Sequence, residues 1–182
     1  MHIHRRLVLT ATAALMLATL LPGTAAAAGP VPVATGLDNP RGITIASDGS
    51  VYVAESGRGG SKLISAMIEG EPSFACLGNT GGVTRIDRKG HVKQIASLPS
   101  FASAFDPDGP GPIAPTCPEG EIGTGATGPT NVALLGHGTL AVTMGLGGDE
   151  DVRDAIDPAF GTLQRVLPNG KHRLMADLVG YE

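Results

Sequence analysis

The chain reads as an all-β protein, a partial β-propeller behind a signal peptide, and three observations lead there. Apolar residues alternate with smaller ones on either side of Asp48-Gly49, with Ile43 and Ile45 before the pair and Val51 and Val53 after it. That is the pattern of two antiparallel strands joined by a tight turn. The same design returns at residues 128–144, around Gly136-His137-Gly138. Finally, 27 glycines and 14 prolines among 182 residues suit a turn-dense β protein better than a helical one.

The N-terminus has the build of an export signal. His2, His4, Arg5 and Arg6 form a basic start, residues 7–21 are apolar, Pro22-Gly23-Thr24 breaks the run, and residues 25–28 are all alanine. A peptidase would cut after Ala28, leaving residues 29–182 as the mature domain. The run is shorter than the ~20 residues a helix needs to cross a bilayer, so no stable membrane span is expected after cleavage. The protein is therefore expected outside the cell, and Arg5-Arg6 leaves both the general secretory and the twin-arginine route open. Losing Arg5 and Arg6 leaves 11 basic against 17 acidic residues, a charge of −6. With no basic cluster, nucleic acid is excluded as a partner and an anionic membrane surface is disfavoured. The mature length and a hydrophobic fraction of 42% suffice for one core. Without Trp, that core must be Val, Ile, Leu and Ala.

Taken in order, the mature chain gives four hairpins. Residues 41–46 pair with 50–55 and lead into a flexible glycine run, 56–60. Residues 61–80, with Cys76, lack periodicity and read as loop. Residues 82–87 and 91–98 flank Arg88-Lys89-Gly90 as the second hairpin. Together these make a four-stranded, blade-like unit over 36–98. Residues 100–128 are too rich in proline and glycine for regular strands and read as an elaborated loop around Cys117. The third hairpin pairs 130–135 with 139–144. The fourth pairs 161–167 with 171–178 around Pro168-Asn169-Gly170, completing a second unit over 125–178. Pro129 follows Pro40, and Gly138 follows Gly49, by the same 89 residues; Arg165 and Gly170 follow Arg85 and Gly90 by 80. Coincident landmarks of this kind are a repeat signal. A propeller ring takes roughly four to eight blades, each buried only by its neighbours. Two blades thus imply a piece of a longer protein or, as the rival reading, a half-ring that dimerises.

Chemistry is sparse. Cys76 and Cys117 are the only cysteines of an exported chain, which favours a disulfide over free thiols. Two thiols without paired histidines do not make a zinc site. Asp149-Glu150-Asp151 follows a glycine run, and Asp149 and Asp151 could offer oxygens to Ca²⁺. The favoured reading of the same residues is a solvated acidic loop, opening a short helix at 151–155. No other cofactor is expected. No serine stands in a Gly-x-Ser-x-Gly context, and residues 57–60 open no phosphate-cradling helix, so no catalytic residue is assigned.

The stretch GLDNPRGITIASDGSVYVAESGRGG resembles the NHL and SMP-30-type six-bladed propeller repeat, whose consensus runs Gly-Leu, Pro-x-Gly-Ile, Asp-Gly, Val-Tyr-Val-Ala. CLGNTGGVTRIDRKGHVKQIASLPSF, followed by GPTNVALLGHGTLAVTMGLGG, is closer still to the exported ScyD/ScyE family. The resemblance spans most of residues 31–182. It implies a six-bladed ring of which this chain carries about two blades, and no established chemistry. Arg41 and Asn131 open the first strand of each unit, which in propellers lies near the channel mouth. SMP-30-type lactonases hold a divalent cation there with Glu, Asn and Asp. This chain departs from them by placing Asn39-Pro40 where an acidic ligand is expected. Asn39, Arg41, Glu55 and Asn131 are the resulting ligand candidates, with turn capping by Asn39 and Asn131 as the structural alternative. The expected function is a binding or scaffold module for an extracellular glycan, protein or small molecule, its insertions forming the recognition surface. The alternative is a metal-dependent hydrolase or lactonase.

Overall fold

Each expected hairpin closes on a residue that tolerates the left-handed region: Gly49, Gly90, Gly138 and Gly170 have φ of 79°, 82°, 71° and 80°. The computed structural model describes residues 29–68, 71–103, 117, 125–145 and 150–179. Residues 1–28, expected to be a signal peptide, and Asp149 lie outside them. The chain divides into two units, residues 1–31 and 32–182, and every described strand belongs to the second.

In chain order the elements are β1 Pro40–Ile45, β2 Val51–Glu55, β3 Lys62–Ile68, β4 Glu71–Ile86, β5 Val92–Ser103, β6 Pro129–Gly136, β7 Thr139–Met144, the helix α1 Glu150–Ile156, β8 Thr162–Val166 and β9 His172–Asp177. They form two antiparallel sheets. One has the order β1-β2-β4-β3 with β5 also on β4, and the other is the meander β6-β7-β8-β9. The all-β class is therefore correct, and both sheets are open.

Two expected loops are strands. Residues 61–80 supply β3 and the first half of β4, paired from Lys62↔Leu77 to Ile68↔Glu71. Their periodicity is hidden because Cys76 and Leu77 are both buried although adjacent, so no alternation marks a single inner face. Likewise β5 runs on to Ser103 instead of ending near Leu98. Pro99 is accommodated where the β4–β5 register shifts between Gly78 and Gly81, sparing a ladder hydrogen bond. Nor is the run 57–60 a loose linker. Gly57 and Gly59 are buried at φ 78° and 76°. A side-chain carbon at Gly60 would lie 2.4 Å from the Cα of Gly78.

The second sheet reproduces the pairing of β1, β2, the end of β4 and the start of β5 position by position. Ile43↔Val53 corresponds to Val132↔Val142, Tyr52↔Arg85 to Ala141↔Arg165, and Arg85↔Lys93 to Arg165↔Arg173. Even the irregularity recurs, between Val83 and Thr84 and between Leu163 and Gln164. The sheets nevertheless bury opposite faces. In the first, Ala54, Val83 and Ala96 share a face and enter the common core. In the second, the core residues Val132, Val142, Leu140 and Val166 stand where the first sheet has Ile43, Val53, Val51 and Ile86, on its other face.

The end of this core is closed by Phe160, fully buried, whose ring meets Phe101 edge-on at 5.0 Å and 85°. The acidic run opens a short helix, the second of the two readings it allows. In α1 the buried Arg153 donates from Nη1 to both Asp177 carboxylate oxygens at 2.8 Å and from Nε to Asp154 at 2.8 Å. These acceptors raise the guanidinium pKa and tie α1 to β9.

Candidate functional site

The candidates Asn39, Arg41, Glu55 and Asn131 come together where β1 and β6 begin. Asn39 takes a φ of 52°, which asparagine tolerates better than most residues. From there its Nδ2 donates to the Gly57 carbonyl at 2.6 Å, while its own carbonyl accepts from Ser56 N at 3.0 Å. Glu55 ends β2 and is buried, and Asp38 N–H donates to its Oε2 at 2.5 Å. Arg41 is exposed and its Nε donates to Ser56 Oγ at 3.3 Å. Asn131 Oδ1 accepts from the next backbone amide, Val132 N, at 2.9 Å. Asn131 thus holds the backbone next to it, within β6, whereas the Asn39 side chain reaches a backbone carbonyl 18 residues away.

Ser56, which carries no motif in the sequence, links the two sheets here. Its hydroxyl donates to the Pro129 carbonyl at 3.0 Å, and its carbonyl accepts from Ser100 Oγ at 2.5 Å. Ser100 Oγ in turn accepts from Gly59 N at 3.0 Å. Thr80 Oγ1 accepts from Arg58 N and donates to the Gly59 carbonyl. Arg58 pairs with Asp38, its Nε lying 2.8 Å from Oδ1. The only hint of this network in the sequence is the abrupt change to small polar residues after Glu55.

Beside it lies a cavity of about 430 Å³ whose walls include Asp38, Glu55, Asn79, Thr80, Thr84 and Gln94. Such a lining offers hydroxyl and amide groups around two carboxylates, Asp38 and Glu55, suited to a polar, hydroxyl-bearing or cationic ligand. A second groove, of about 370 Å³, runs between Ile95 in β5 and the turn at Asn169–Lys171. The carboxylates held below the usual range sit elsewhere, at hairpin turns. Asp87 is lowered to about 2 by its hydrogen bonds with the His91 side chain and backbone, and Asp48 is lowered by those with Ser50.

Cys76 and Cys117 are joined, with a Cα–Cα distance of 5.5 Å. Cys76 is buried in β4. Of the acidic pair considered for Ca²⁺, Asp149 lies outside the described residues and Asp151 is in α1. Among the described residues no three His, Cys, Asp or Glu side chains gather closely enough to hold a metal ion. None of their helices is long and apolar enough to cross a membrane.

Fold and site together define an all-β protein of two stacked antiparallel sheets, with a disulfide-tied extension and a polar cavity at one end. No protein-family model, curated protein or solved structure matches the chain.

Proposed function

We propose that the chain is part of an exported β-propeller of the ScyD/ScyE type, in which the two sheets are neighbouring blades. It binds an extracellular ligand, a glycan, protein or small molecule, at the end where Asn39, Arg41, Glu55 and Asn131 meet. The observation that carries this reading is the positional match of the two sheets, combined with their use of opposite faces: successive wedges of a ring stack in that way. The Cys76–Cys117 bridge fits an oxidising compartment. Retention of the protein on a cell-wall or glycan column, lost in Arg41→Ala while thermal stability is kept, is the expected result. Failure to bind any such matrix would overturn the binding-module reading.

A second reading rests on Glu55, a buried carboxylate at the cavity wall. In a metal-dependent hydrolase or lactonase this group would help to hold Ca²⁺. Calcium-dependent thermal stabilisation that disappears in Asn131→Ala, together with lactone hydrolysis, would favour it. Export is tested separately: the supernatant protein should begin at Gly29, and an intact Met1 would exclude cleavage.

A further inference from the structure

The face of the first sheet turned away from the second carries a polar patch. Glu55 pairs with Gly82, Thr84 lies two residues further along β4, and Gln94 pairs with Thr84, so Glu55, Thr84 and Gln94 stand on one side. Gly82 has no side chain to fill the place beside Glu55, and Gln94 lies across it: a carbon there would stand 2.5 Å from Gln94 Nε2. Leu37 and Asp38, which precede β1, and Val92 of β5 add walls to the same cavity of about 430 Å³.

Glu55 is 6% and Thr84 3% exposed, yet neither side chain is fully engaged. Glu55 accepts one hydrogen bond, from Asp38 N–H to Oε2, and among the described residues nothing donates to its Oε1. The Thr84 hydroxyl has no partner among them either. Neither atom is sealed away, so both open into the cavity. Gln94 donates from Nε2 to the Gly81 carbonyl at 3.4 Å, which leaves its Oε1 as a further acceptor. Among the described residues no cation pairs with Glu55: Arg58 is taken by Asp38, and Arg41 reaches Ser56. With the Asp38 charge answered by Arg58, the cavity holds the uncompensated charge of Glu55.

A charge taken out of water needs a counter-charge. A primary ammonium supplies one, with N–H donors on every side and no acceptor, which complements free acceptors gathered around a single carboxylate. A calcium ion draws on about six to eight oxygens, several of them charged, and the described lining does not offer that set. We propose that this cavity takes a protonated primary amine, with Glu55 as its counter-ion, and that the ligand is an amino sugar. The Asn79 amide suits the hydroxyls of such a ring, Leu37 and Val92 its carbon face, and the volume a ligand of that size. The inference rests on the binding-module reading and adds the chemical class of the ligand.

Glucosamine and N-acetylglucosamine, the same ring with and without the charge, test this by NMR titration of the full chain at pH 6. Glucosamine should bind on the order of tenfold or more tightly than its acetylated form. Glu55→Gln should abolish that preference, while Asp48→Asn, which removes one charge at an exposed turn, should keep it. The discrimination by the unaltered chain needs no variant, so the test holds even where Glu55→Gln folds poorly. Equal binding of the two sugars, or a preference unchanged in Glu55→Gln, would overturn the inference and leave the binding-module reading standing. Tighter binding of N-acetyl-lysine amide than of glucosamine would overturn the sugar and put a lysine side chain in its place. Calcium binding that depends on Glu55, without any response to glucosamine, would overturn it in favour of the metal. No response to either sugar, together with no retention on any cell-wall or glycan column, would sink both readings at once.

Discussion

Gly42 of β1 abuts Asn131 of β6 so closely that a side-chain carbon at position 42 would lie 2.3 Å from Asn131 Oδ1 and 2.7 Å from its Cα. The two residues hold the same place in their respective sheets, so the first strands touch through equivalent positions. Because one of the opposing atoms is backbone, no rotamer of Asn131 relieves the clash. Gly42→Ala should therefore cost about 1–3 kcal/mol, the usual range for overpacking a tight contact. Urea denaturation would measure it. Asn131→Ala in the same background should restore only part of the loss, since the clash with the strand backbone persists.

The Cys76–Cys117 bridge closes a loop with a sequence separation of 41. On the chain-entropy account that constraint contributes roughly 4 kcal/mol by restricting the unfolded chain. The paired variant Cys76→Ser/Cys117→Ser should fall in stability by that order, as should the reduced protein, and comparison of their urea midpoints checks it. The register of β1 with β2 should survive, because none of its pairs involves the bridge.

Acid sensitivity is expected at the β4–β5 turn. Asp87 Oδ1 accepts from Lys89 N and His91 N, and Oδ2 lies 2.8 Å from His91 Nδ1. With its pKa lowered to about 2 from the ordinary 3.8, the folded state holds fewer protons than the unfolded one in between. The stabilisation is complete above the ordinary carboxylate value and is lost as pH falls toward 2. Asp87→Asn should thus be less stable than the parent at pH 6, with the gap narrowing by pH 2. Urea midpoints at the two pH values give the comparison.

Arg153 is the buried tie between α1 and β9. Removing it leaves the Asp177 carboxylate without its bidentate partner, although Oδ1 still accepts from Val179 N at 3.1 Å. Arg153→Met should lower the melting temperature by only a few degrees, because Asp154 and Asp177 are each about half exposed and stay solvated when the guanidinium is lost. Arg153→Lys should recover only part, because an ammonium cannot reproduce the fork. Differential scanning calorimetry distinguishes the three proteins.

Much of this fold is legible without any coordinates. Period-2 alternation around Asp48-Gly49, Lys89-Gly90, His137-Gly138 and Asn169-Gly170 specifies four hairpins, because a strand with one buried face must alternate and a tight turn needs a left-handed residue. Two cysteines in a chain that starts like an exported one already point to their bridge. Early β4 is not legible, since the adjacent Cys76 and Leu77 are both buried and leave no period, and β3 is not, since Lys62, Leu63 and Ser65 are all exposed and mark no inner face. The site is legible only as scattered residues: Asn39, Glu55 and Asn131 stand out, whereas Ser56 and Ser100, which knit the loop to the second sheet, do not.

Which surface covers which is a matter for the tertiary structure alone. Ile43 and Val132 are interchangeable in chemistry and hold the same place in their hairpins, yet one is 63% exposed and the other 4%. Alternation records that a strand face is apolar, but burial depends on what stands opposite, and that is decided by the direction in which one sheet stacks on the next.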